Sequence, residues 1–159
     1  MAHATRTAFS LVEILVVVVV IGILAAVVAP KYVNATREAS IAATAENLYT
    51  IQMKVDQHNK PAAISPTWFR AGQIPPHPDA IVGMAVVQTQ NAPGVNHPAS
   101  KVLKTGVTGT YWYNSATGQV RARVPDQGSS SETLDYYNAV NQSSEVALGN
   151  YGGGGGGGS

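Results

Sequence analysis

Residues 9–30, reading FSLVEILVVVVVIGILAAVVAP, constrain this chain more than any other stretch. From Phe9 to Ala29 the run holds 21 residues and a single charge, Glu13. A bilayer's hydrocarbon core takes about 20 apolar residues to cross as a helix, at about 1.5 Å each. Val16 to Val20 are β-branched and favour a strand on propensity. In lipid, however, every backbone polar group must be bonded within the segment, so a lone span is helical. A secretory signal peptide is the rival reading; its apolar region is only about 7–15 residues long and ends in a small-residue cleavage site. The present run is longer, although Ala25, Ala26 and Ala29 resemble such a site.

Glu13 needs an explanation, because a carboxylate at the centre of a membrane helix costs roughly 2.5–3.5 kcal/mol, and less towards the end. Either it snorkels to the interface and favours the positive helix N-terminus, or it pairs with a positive group brought by another chain.

MAHATRTA followed by this apolar run resembles the N-terminus of type IV pilins and type II secretion pseudopilins. The matching features are a short leader, Phe9, a Glu as the fifth residue counting from it, Gly22 within the apolar helix, and Pro30 near its far end. The resemblance implies that a prepilin peptidase cuts between Ala8 and Phe9 and that the new Phe9 amine is methylated. It also implies that Phe9, Glu13, Gly22 and Pro30 serve filament assembly, with Glu13 meeting the Phe9 amine of a neighbouring subunit. Ala8 departs from the family, which nearly always has Gly before the cut.

Charge and composition exclude other classes. Ten Lys and Arg face nine Asp and Glu, and removal of Arg6 with the leader leaves nine against nine. This gives no basic surface for nucleic acid. With no cysteine there is no disulfide and no Cys-based zinc site. Many type IV pilins close a C-terminal loop with a disulfide, whereas major pseudopilins commonly lack one. His3, His58, His77 and His97 are scattered, and no nucleophile elbow or phosphate-binding glycine loop occurs. No enzyme is expected. Basic residues on the two sides of the span are nearly balanced, so they do not set its orientation; the resemblance puts the leader in the cytoplasm.

After Pro30, which removes a backbone donor and loosens a helix, residues 31–59 are rich in helix formers. Ile41, Ala45, Leu48, Ile51 and Val55 recur at spacings of three and four. This places them on one stripe, with Glu46 and Lys54 turned away, and the stripe calls for a partner. Asn59 and Pro61 stop the helix. Proline-rich residues 60–79 form a loop that Trp68 and Phe69 pin to a core.

Residues 81–90 have strand length, and residues 91–100 form a second loop. Residues 107–124 read as a β-hairpin with a turn at Asn114 to Gly118. On its return strand Val120, Ala122 and Val124 alternate with Arg121 and Arg123, which predicts an apolar face and a solvated arginine face. The segment GTYWYNSATGQVRA is also similar to the head hairpin of type II secretion pseudopilins. A short helix is expected from Ser131 to Asn141. Asp126, Glu132 and Asp135 lie in the region where major pseudopilins often hold calcium, so they are the candidate ligands of a hard cation, although their spacing fits no recognised pattern. Residues 152–159 have flexible-linker composition.

The expected fold is therefore α+β: a long N-terminal α-helix packed on a small antiparallel β-sheet head. Its segments are a leader (1–8), a transmembrane and assembly helix (9–30), an amphipathic periplasmic helix (31–59), a head (60–151) and a Gly tail (152–159). The resemblance implies a subunit of a type II secretion pseudopilus, single-pass in the inner membrane with its head in the periplasm. Its partners would be copies of itself, prepilin peptidase, other pseudopilins, the inner-membrane assembly platform and membrane lipid. Two alternatives remain: a type IV pilin subunit for adhesion, motility or DNA uptake, and a membrane-tethered periplasmic binding module with Trp68, Phe69 and Trp112 lining a groove.

Overall fold

The computed structural model describes residues 10–80, 86–104 and 109–149; residues 1–9, 81–85, 105–108 and 150–159, which include the leader and the Gly tail, lie outside them. Helix α1 spans Leu11–Gln57 and runs through position 30 without a break. It ends where Asn59 and Lys60 take left-handed φ values of 54° and 55° and the Lys60 amide bonds back to the Val55 carbonyl at 3.2 Å. Pro61 follows and cannot continue the ladder. Two compact units divide between Glu38 and Ala39.

In the second unit, Leu48, Ile51 and Val55 are buried and Ile41 packs against the same core. Glu46 is exposed, as the spacing predicts, whereas Lys54, expected to turn away as well, is half-buried. The partner of this stripe is a three-stranded sheet of β1 (Val87–Gln90), β2 (Tyr111–Asn114) and β3 (Gln119–Ala122). The fold is thus α+β, a helix packed on a small sheet head. Tyr111, Tyr113, Val120 and Ala122 supply the sheet's share of the core. Helix α2 (Ser130–Asn141) adds Tyr136, Tyr137 and Val140. Its start is a reciprocal cap: the Ser129 hydroxyl accepts from the Glu132 amide at 3.2 Å and donates to the Glu132 carboxylate at 3.0 Å.

The sheet departs from the expected antiparallel arrangement. β2 and β3 form the antiparallel hairpin, with Tyr113 opposite Val120, but β1 runs parallel to β2, with Val87 opposite Tyr111. The connection from Gln90 to Tyr111 is long enough to return the chain to the same end, which a short hairpin turn cannot do. The loop after α1 behaves as expected: Phe69 is buried, and Trp68 packs on the core and stacks on His58 with ring centroids 3.9 Å apart.

The expected solvated arginine face is not found at Arg123, just past the end of β3. Arg123 is 3% exposed and donates to the Ser100 carbonyl (2.9 Å), the Gly109 carbonyl (2.7 Å) and the Gln88 side-chain oxygen. Burial pushes its pKa down to about 10. Arg121 is half-buried. The Arg123 guanidinium is taken up by these acceptors, while residues 101–103 pair edge-on with the chain beyond β3: the Leu103 amide donates to the Val124 carbonyl at 2.8 Å and the Val124 amide to the Lys101 carbonyl at 3.0 Å. Gly109 makes this packing feasible; at its φ of 108° a Cβ would lie 2.5 Å from the Gln88 amide nitrogen.

The edge strand β3 has its outward backbone groups occupied by side chains. Gln52 of α1 accepts from the Val120 amide at 2.9 Å and donates to the Gly118 carbonyl at 2.9 Å. Asn141 of α2 accepts from the Ala122 amide at 2.8 Å and donates to the Ala122 carbonyl at 2.9 Å. Two amides therefore stand in for a fourth strand, which closes an edge that could otherwise add a foreign strand.

Candidate functional site

The N-terminal half of α1 carries the residues singled out for assembly. The helix opens after Ser10, whose carbonyl accepts from the Glu13 and Ile14 amides at 3.0 and 3.3 Å. Glu13 thus sits in the first turn, where the partial positive charge of the helix end favours a carboxylate. At about 100° and 1.5 Å per residue, Gly22 lies half a turn round from Glu13, and Pro30 about 26 Å along the axis from it. They do not form one cluster. They mark three levels of a single rod. Ala8 and Phe9 lie outside the described residues.

Around this rod the apolar surface is uncovered on every side. Leu11 is 82% exposed and even the least exposed valine of the run, Val17, is 49% exposed. A Cβ built on Gly22 would meet nothing within 4 Å. The span is long and apolar enough to cross a membrane, and none of it is buried among the described residues. Soluble monomers rarely expose contiguous apolar patches larger than a few hundred Å². A surface of this kind is compatible with a membrane span.

The head offers less chemistry. Phe69 and Trp112 are buried, and the Trp112 indole N–H donates to Gln90 at 2.9 Å, so these rings do not line an open groove with Trp68. Among the described residues no three His, Asp or Glu side chains are disposed to hold a metal ion. Of the calcium candidates, Asp126 accepts from the Gly128 amide at 2.9 Å and Glu132 caps α2.

His77 is buried and fixed in one tautomer. Its Nδ1 accepts from the Asp79 amide at 3.1 Å, so Nε2 carries the proton and donates to the Arg123 carbonyl at 2.8 Å. Desolvation lowers its pKa below the ordinary histidine value. Beside it, Asp79 accepts from Ser40 at 2.7 Å and Tyr136 at 3.0 Å, tying the proline-rich loop to α1 and α2.

His97 bridges the Tyr137 hydroxyl at 2.9 Å and Glu145 at 3.4 Å, and Lys101 pairs with Glu145 at 3.1 Å. These tie the 91–101 loop to α2 and to the segment after it. Sequence reasoning did not single out Gln52, Asn141 or Lys101, because nothing in their spacing marks a polar side chain that will be buried. Comparison with protein-family models, with curated proteins and with solved structures gave no match.

Proposed function

We propose that this chain is a membrane-anchored filament subunit of the pseudopilin type, which assembles through the N-terminal half of α1 while its head stays in the periplasm. One observation carries the reading: an apolar helix exposed on all sides that holds a single carboxylate, Glu13, in its first turn. A plain anchor gains from that charge only a modest interaction with the helix N-terminus, about 0.3–1 kcal/mol. A subunit that must register against its neighbour gains a polar contact whose alternative is an unpaired carboxylate in lipid. On this reading the work is mechanical: subunits added at the base extend a short filament that pushes cargo outward, and the energy comes from an assembly ATPase. The resemblance of residues 1–30 to pilin N-termini and of the hairpin segment to pseudopilin heads supports the secretion system over the adhesive pilus.

The Glu13→Ala variant tests it. Removing an intramembrane charge makes a mere tether insert as well as before, or better, by up to about 3 kcal/mol. A filament subunit inserts equally well but loses assembly. Normal filaments and normal secretion with Glu13→Ala would refute the pairing role.

A further inference from the structure

An open cleft lies in the head where α1, β3 and α2 meet, lined by Leu48, Tyr49, Gln52, Val120, Arg121 and Val140 among others. Its volume of about 130 Å³ is several times what one water needs. Leu48, Val120 and Val140 give it apolar walls, and Tyr49, 70% exposed, stands at its side.

The polar lining differs in how far it is used. Gln52 and Asn141 spend their amides on the β3 backbone, as described above. Arg121 is the exception. Its Nη1 donates to the Val120 carbonyl at 3.2 Å, but its Nε is shut off from solvent and has no hydrogen-bond partner. The carboxylate whose field reaches it, Glu145, is already held by Lys101 at 3.1 Å and His97 at 3.4 Å. A buried donor without a partner costs about 1–3 kcal/mol, and that cost is relieved when the guanidinium turns to an acceptor in the cleft. The acceptor that best fits a guanidinium edge is a planar carboxylate.

We infer that this cleft is a carboxylate-binding site, in which Arg121 takes the acid group while Leu48, Val120 and Val140 hold a short aliphatic stem. The site lies wholly in the head and stands whether or not the chain forms filaments. The acid has two sources, a free carboxylic acid or an acidic side chain of a second copy of the chain.

The test is an NMR titration of the full-length protein in detergent micelles, reading the Arg121 Nε–H signal. Sodium butyrate is the probe, with sodium chloride and 1-butanol as controls; the signal is assigned by its loss in Arg121→Lys. The expected result is a saturable shift with butyrate that neither control reproduces. Loss of a charge-assisted hydrogen bond also predicts that Arg121→Gln weakens butyrate binding about tenfold or more, read at Val120 and Val140. If the shift is instead present without added acid at high protein concentration and disappears on dilution, the acid comes from a second copy. The inference is overturned if neither butyrate nor concentration moves the signal saturably, if butanol binds as well as butyrate, or if Arg121→Gln binds equally well. The wild-type titration stands by itself should the variants fold poorly.

Discussion

Helix α1 contains two halves that obey different rules. From Ala39 to Gln57 it buries one stripe, with Ile51 and Val55 fully covered by the sheet, and leaves Glu46 and Asp56 in water. From Leu11 to Ala29 it is apolar apart from Glu13, and no described residue covers it. A helix with one apolar stripe is complete once a sheet of the same chain packs on it. A helix apolar on every side is complete only in an environment the chain does not supply. The Ala39–Gln57 half thus answers to folding, and the Leu11–Ala29 half, on the proposed reading, to lipid and to neighbours.

Substitution separates the two most sharply. Ile51→Ala should lower the stability of the head by about 2–5 kcal/mol, the cost of emptying a well-packed site. Ile21→Ala should leave it within about 0.5 kcal/mol. Urea unfolding in detergent, followed by the fluorescence of Trp68 and Trp112, measures both; equal effects would break the division. A smaller loss, about 1–3 kcal/mol, is expected for Asn141→Ala, which strips the partner from the buried Ala122 amide. The same variant should aggregate more readily, because it reopens the edge of β3.

The mildest effect is pH dependence confined to the head. His77 has a folded pKa below its ordinary value of 6.5. The unfolded chain therefore takes up the proton first as pH falls, so the stabilisation is complete above about pH 6.5 and lost below it. His97 is shifted in the same direction, by burial first. Thermal unfolding between pH 7.5 and 5 should show Tm falling with pH, and the slope should lessen in His77→Gln. A Tm that rises on acidification would contradict the assignment.

The amphipathic half of α1 was legible because its pattern is periodic: Ile41, Leu48, Ile51 and Val55 state their shared face in their spacing. The hairpin was legible because β-prone runs flank a turn at Ser115 to Gly118. Pairing of β1 with β2 was not, since direction depends on how a connection of some twenty residues is routed, and no local propensity records that. Arg123 misled for a related reason. Alternation told which residues share a face but not which distant groups meet the opposite one, and the Ser100 and Gly109 carbonyls and the Gln88 side chain take up Arg123 there. The Gln52 and Asn141 contacts were hidden because a buried amide and a solvated one are the same letter. For the N-terminal half the position is reversed: Glu13 stands out in the sequence as the one charge in an apolar run, and on the proposed reading its partner belongs to a neighbouring subunit.

The most direct test of the account is the intact mass and N-terminal fragment spectrum of the protein taken from its native membrane. A filament subunit of this type should begin at Phe9 with a methylated amine, despite Ala8 before the cut. A chain that keeps Met1 to Ala8, or one that starts after Ala26 or Ala29, would contradict it.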